Sequence, residues 1–207
     1  MPAAGITIRG EPMSLLKSRI STLPRSPEGH WDYSHMPIVE SLSEYQIETI
    51  LEIGFNNGFS ATLFLNTLPI KKFYSLDIGY HPFVKPLQAQ FEKLYEGKFF
   101  PFLESSMNIR DTPLNDMSFD LIFIDGWHKD GVPLNDFLFA LDKCKYILLD
   151  DTGGNSPGVT DLINFINKGD TDTKPLIGNK VELLKNYSIG AGAKLYRCLE
   201  TNKEVPQ

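Results

Sequence analysis

The sequence predicts an α/β fold built on a mainly parallel sheet, and three observations carry that expectation. Short apolar runs bounded by polar or glycine residues alternate with helix-like segments from Pro37 onward. Some of these runs are apolar throughout, as in Leu121-Ile122-Phe123-Ile124, which suits strands covered on both faces. With 207 residues, 42% of them hydrophobic and 22% charged, the chain can bury a sizeable core and has an ordinary globular balance.

The first 36 residues lack this alternation. Pro2, Pro12, Pro24 and Pro27, interleaved with Ser, Gly and Arg, read as an N-terminal arm with at most one short helix over 13–20. Residues 37–207 form the expected domain, without internal repeats. Its strands are placed at 49–53, 72–77, 99–103, 119–124 and 146–149, with helices at 38–45, 59–68, 84–95, 134–143 and 158–167. The last two strands, 180–184 and 193–199, are joined through Asn186-Tyr187-Ser188-Ile189-Gly190, which leaves no room for a helix. A hairpin must therefore close the sheet edge, giving seven strands, mostly parallel with one antiparallel, and helices on both faces.

The net charge of −6 argues against a nucleic-acid backbone as partner, since that would favour a basic face. Cys144 and Cys198 lack CxxC spacing and read as free thiols in a reducing compartment. The start shows no signal-peptide pattern, and no apolar run approaches the roughly 20 residues that span a bilayer. The expectation is a cytoplasmic protein with neither a membrane nor a nucleic-acid partner. Oligomeric state is open, a homo-oligomer included.

The segment Ile50-Leu51-Glu52-Ile53-Gly54-Phe55-Asn56-Asn57-Gly58-Phe59-Ser60 carries the most information. A strand ends at Ile53, a turn with two glycines follows, and a helix begins near Phe59. Gly54 permits a sharp turn, and Gly58 lets backbone N–H groups at the helix start come close to a ligand. Roughly twenty residues on, the next strand ends in Asp77, placed to bond ribose hydroxyls. Position 56 is Asn rather than the middle Gly of a dinucleotide motif, so a nucleoside fits better than NAD.

Glu52-x-Gly54-x-x-x-Gly58-x-Ser60 followed by a strand-end acid resembles motif I and its successor in class I S-adenosylmethionine-dependent methyltransferases. That resemblance implies their Rossmann-like fold and S-adenosylmethionine as cofactor. It places the methionine moiety along Glu52, Gly54, Phe55, Asn56, Gly58, Phe59 and Ser60, and the ribose at Asp77. Ser105 and Ser106, after the third strand, fall where the family has groups near the adenine, although the family's Asp is missing there.

Asp125-Gly126-Trp127-His128 ends the fourth strand, and Asp150-Asp151 ends the fifth. In the methyltransferase sheet these strands are neighbours, so Asp125, Asp150 and Asp151 are expected beside the donor. Packed carboxylates raise one another's pKa unless something positive sits between them. A hard divalent cation, Mg²⁺ above all, would suit all-oxygen ligands. A hydroxyl bound to that metal would lose its proton more readily, with His128 positioned to take it, and then attack the methyl carbon. The whole pattern resembles metal-dependent small-molecule O-methyltransferases of the catechol and macrolide-sugar types. His128 stands where some sugar O-methyltransferases have a histidine, which implies a small hydroxylated acceptor such as a sugar.

Trp127 is a candidate cover for the adenine, and Tyr80-His81-Pro82-Phe83 a candidate border. Glu28-Gly29-His30-Trp31-Asp32-Tyr33-Ser34-His35 is a candidate part of the acceptor pocket. Asp130 and Asp136 read as a solvated helix start and face. Two other readings remain open: a metal-independent methyltransferase acting on an amine or a larger substrate, and a non-catalytic S-adenosylmethionine-binding protein.

Overall fold

The computed structural model describes residues 7–8, 11–12, 23–25, 32–168 and 180–199. The helix expected at 13–20 and the segment 28–31 lie outside these residues. Thr7–Ile8 pairs with Glu11–Pro12 as a minimal antiparallel ladder. The main sheet has seven strands: β1 (Thr49–Ile53), β2 (Lys72–Asp77), β3 (Phe99–Leu103), β4 (Phe119–Ile124), β5 (Cys144–Leu149), β6 (Val181–Tyr187) and β7 (Ala193–Cys198). Their order is β3-β2-β1-β4-β5-β7-β6. Only β7 runs antiparallel, to both β5 and β6, as the hairpin argument requires.

The chain divides into two compact units, Met1–Ser105 and Ser106–Gln207. In the first, β1, β2 and β3 pair in parallel register, Leu51 beside Tyr74 and Tyr74 beside Phe100. Helix α1 (Met36–Ser41) starts with Pro37 in its first turn, where a missing N–H costs nothing. Helix α2 (Phe59–Thr67) is buried over its first seven residues, the polar Ser60 and Thr62 included. Helix α3 (Val84–Leu94) is amphipathic: Val84, Leu87, Gln88 and Phe91 face inward at helical spacing. Phe55, Phe73, Phe91 and Phe99 form the aromatic centre of this unit, with ring centroids 5.1–5.8 Å apart.

In the second unit β4 and β5 pair in parallel, and Leu121, Ile122 and Phe123 are fully buried. Helix α4 (Val132–Leu141) begins two residues earlier than the sequence suggests, because Gly131 takes a left-handed φ of 75° and serves as the cap. Helix α5 (Pro157–Lys168) follows β5. Strand β6 runs on to Tyr187, so Asn186 and Tyr187 pair with Lys194 and Ala193 rather than forming the turn. A bulge between Leu183 and Lys185 absorbs the register shift that this longer pairing entails. Among the described residues no helix is long and apolar enough to cross a membrane.

Candidate functional site

The Gly54 turn is built as its sequence suggests. The backbone turns left-handed at Gly54, Asn56 and Gly58, with φ of 100°, 46° and 72°. Asn is among the few side-chain-bearing residues that tolerate this region. Asp77 closes the turn from the next strand. Its Oδ2 accepts the N–H groups of Phe55 and Asn56, both at 2.9 Å, and its Oδ1 accepts that of Gly79 at 2.7 Å. Three backbone donors thus converge on one carboxylate, which fixes the shape of the turn before any ligand arrives.

Several residues expected to line the ligand support the turn from within. Glu52 is fully buried; it accepts the hydroxyl of Ser60 at 2.5 Å and that of Ser75 at 3.4 Å. Phe55 is 1% exposed and packs edge-on against Phe91, so its backbone, not its ring, faces the turn. Phe59 is also buried, with the ring of Tyr33 edge-on to it at 5.9 Å. The arm reaches this turn as well: Asn57 Nδ2 donates to the carbonyl of Pro24 at 3.1 Å. Asp32 caps the short turn Tyr33–His35 by accepting the N–H of Ser34 at 2.7 Å. Tyr80 is 80% exposed and touches the ring of His81, which stacks on Phe83. Ser105 donates its N–H to the Glu104 carboxylate at 2.8 Å.

The second unit presents the acids. The imidazole of His128 stands between Asp125 and Asp151, with Nδ1 2.7 Å from Asp151 Oδ2 and Nε2 3.5 Å from Asp125 Oδ1. The first is a strong charge-assisted hydrogen bond; the second is an ion pair at the limit of bonding distance, and Nε2 makes no well-formed hydrogen bond. Burial disfavours the charged ring, but hydrogen bonding and attraction from Asp125 and Asp151 outweigh it and push the pKa up to about 10. The bond from His128, working against burial, lowers the pKa of Asp151. The imidazolium of His128 thus places a positive charge between these two acids. Among the described residues no group of three or more His, Cys, Asp or Glu side chains is arranged to hold a metal ion.

Asp151 occupies the left-handed region with φ 58°, uncommon for a residue other than Gly, though Asp and Asn tolerate it better than most. The next residues pin it there: Thr152 N–H donates to the carbonyl of Gly192, and Gly153 N–H to that of Ala191, at 2.9 and 2.7 Å. Asp150 is buried, its N–H bonded to the carbonyl of Ile124 at 3.1 Å. Trp127 is 55% exposed, with the Lys129 ammonium 5.4 Å from its ring centre. Ser106 opens a 3₁₀ segment, Ser106–Asp111, and its carbonyl accepts Asn135 Nδ2 at 3.0 Å.

Asp136 corrects the sequence reading. It is 1% exposed rather than solvated, and Oδ2 has no hydrogen-bond partner. Burial pushes its pKa up to about 6, against the lowering pull of Ser106, Asn135 and His128. The signal was present: Asp136 follows Val132 by four and precedes Ala140 by four, on the apolar stripe of α4. Because the folded pKa lies above the ordinary 3.8, this acid favours folding fully below pH 3.8 and progressively less as pH rises through about 6. Asp136→Asn is accordingly expected to raise stability at pH 7.5 by about 1–3 kcal/mol. The gain should vanish near pH 4, read from urea unfolding at both values.

No family model matches the sequence, and no curated protein matches it. Solved structures do match. The methyltransferase PaMTH1 of Podospora anserina, bound to S-adenosylhomocysteine, superposes with a TM-score of 0.64 at 17% identity, over 96% of this chain and 91% of that one. The O-methyltransferase TomG of Streptomyces achromogenes, in complex with S-adenosylmethionine, gives 0.61 at 13% identity, over 90% and 96%. MycE methyltransferase of the mycinamycin pathway, with Mg and S-adenosylhomocysteine, gives 0.59 at 17% identity; this chain is covered to 92% but spans only 55% of MycE. The strand order, the single antiparallel strand and these superpositions agree: the chain has the fold of the class I S-adenosylmethionine-dependent methyltransferases.

Proposed function

We propose that this protein transfers the methyl group of S-adenosylmethionine to a hydroxyl of a small molecule, with a sugar as the leading acceptor class. The observation that carries the reading is His128, a half-buried imidazole held by Asp151 on Nδ1 with Nε2 left without a well-formed bond. In the neutral ring, Asp151 keeps the proton on Nδ1 and leaves the lone pair on Nε2, the arrangement of a general base. Nε2 takes the proton of the acceptor hydroxyl while the oxygen bonds to the methyl carbon. The carbon–sulfur bond breaks, and S-adenosylhomocysteine leaves as a neutral thioether. The Gly54 turn and Asp77 are the proposed seat of the donor, the turn already shaped by three N–H bonds.

Assistance by a divalent metal is supported by the acids Asp125, Asp150 and Asp151 and by the Mg in the MycE complex. The side chains as arranged do not fit it. Mg²⁺ needs its ligands about 2.0–2.1 Å away on one small sphere. Here the carboxylates of Asp125 and Asp151 flank opposite nitrogens of one ring, and His128 would have to leave before they could share an ion. The transfer above therefore takes its base from the neutral ring of His128, and the imidazolium formed when it accepts the proton balances the acids.

Calorimetric titration with S-adenosylmethionine, followed by assay against a panel of sugars, phenols and amines with either Mg²⁺ or EDTA, tests the reading. Donor binding at micromolar Kd and methylation of a hydroxyl at equal rates with Mg²⁺ and EDTA are expected. Absence of donor binding would sink the proposal. A rate that collapses in EDTA and returns with Mg²⁺ would put a metal where the imidazole stands. Amine methylation alone, or binding without turnover on any acceptor, would favour the two readings left open by the sequence.

A further inference from the structure

The first turn of α5 makes two contacts with the His128 group that neither the motif nor the resemblance assigns. Ser156 Oγ donates to Asp151 Oδ2 at 2.9 Å, the same oxygen that holds His128 Nδ1 at 2.7 Å. Gly158 N–H donates to the carbonyl of His128 at 3.0 Å. One helix turn thus grips both the backbone of the histidine and the carboxylate that orients its ring.

The chemistry of the turn shows what is unusual here. The carbonyl of Ser156 accepts the N–H of Thr160 at 2.9 Å, which makes Ser156 the residue at the helix start, with Pro157 following it. A Ser there ordinarily turns its oxygen to the helix's own N–H groups. This one gives its hydroxyl hydrogen to Asp151. Gly158 is constrained for a different reason: a Cβ would lie 2.6 Å from the His128 carbonyl oxygen, a backbone atom that cannot swing aside. The turn can approach His128 this closely only with glycine at 158.

We propose that Ser156 and Gly158 are positioning residues that fix the His128 imidazole for proton transfer, an inference that rests on the methyl-transfer reading for its catalytic consequence. Ser156 occupies one of the lone pairs of Asp151 Oδ2 and so restricts rotation of that carboxylate. Gly158 sets the height of the His128 backbone. With either removed, Nδ1 loses its fixed partner direction and Nε2 its aim. Small misplacements of a base cost rate without altering donor affinity.

The test compares Ser156→Ala, Ser156→Thr and Gly158→Ala with the wild type, using methyl-transfer kinetics and the NMR resonance of the His128 Nδ1 proton. In the wild type that proton should appear downfield and protected from exchange. Ser156→Ala should shift it upfield or broaden it and lower kcat about 10-fold, with the KM for S-adenosylmethionine unchanged. Ser156→Thr, which keeps the hydroxyl, should restore both. Gly158→Ala should lower kcat about 100-fold; if it fails to fold, the Ser156 pair alone decides. A wild-type resonance and kcat in Ser156→Ala, or equal losses in Ala and Thr, would overturn the proposal. If the wild type transfers no methyl group while Ser156→Ala still moves the resonance, the grip on His128 stands and the reaction reading falls.

Discussion

Replacing His128 with Asn is expected to lower kcat by about 10²–10⁴ while leaving the Kd for S-adenosylmethionine within about twofold. The ring is the group that meets both Asp125 and Asp151, and its Nε2 is the proposed seat of the acceptor's proton. Asn leaves no group there able to take it. Isothermal titration and initial-rate kinetics on one preparation separate the two effects. Equal losses in donor affinity and kcat would instead assign His128 to the architecture of the cofactor site.

The same ring carries a pH signature. Its folded pKa of about 10 lies above the ordinary 6.5, so its contribution to stability is complete below pH 6.5 and disappears as pH rises through about 10. After allowance for partial exposure this amounts to roughly 2 kcal/mol. The imidazolium must also shed its proton before it can act as a base. Log kcat is expected to climb with pH between 7 and about 10. Stability of the wild type, but not of His128→Asn, should fall over that range.

Gly58→Ala is the second substitution with a large expected effect. Its Cβ would lie 2.8 Å from Phe55 Cζ and 2.9 Å from Phe91 Cζ, and the backbone there has φ +72°. Phe55 and Phe91 are packed against each other and against Phe99, so neither ring tip can yield freely. Strain in the left-handed region adds about 1–2 kcal/mol. A loss of about 2–4 kcal/mol is expected, lowering Tm by about 5–10 °C. Donor binding should weaken at least about 10-fold at temperatures where the variant is folded, because the turn and the start of α2 shift together. Calorimetry and thermal unfolding read both. A variant with wild-type Tm and Kd would show that the ring tips give way and that the glycine is dispensable.

The fold was legible because its signals are local. Continuous apolar runs mark β4 and β5, and the short spacing of the last two strands allows only a hairpin. The turn was legible because Gly54, Asn56 and Gly58 take backbone angles that few other residues accept. What each side chain does there was less legible. Glu52 and Ser60 stand in the motif, yet their burial makes them partners of each other, and a motif does not state which way a side chain points. At the acids, charge arithmetic required something positive, and the structure places the His128 ring there. His128 follows Asp125 by three residues, yet nothing in that spacing says its ring turns between Asp125 and Asp151. Ser156 and Gly158 were missed because a Ser-Pro-Gly opening is what many helices have. Their significance depends on contacts with residues far away in the chain.

The bonds that fix Asp151 also impose an order on how the protein is made. Thr152 and Gly153 find their partners at Gly192 and Ala191, about forty residues later in the chain. A nascent chain that has emerged only as far as α5 has Asp151 and His128 but not the backbone acceptors that hold Asp151 at its left-handed angle. The two backbone bonds that frame this acid form only once hairpin β6–β7 is in place, a closure that brings distant segments together. A chain stalled before residue 189 would carry every proposed reactive group without the backbone acceptors at Ala191 and Gly192 that frame Asp151.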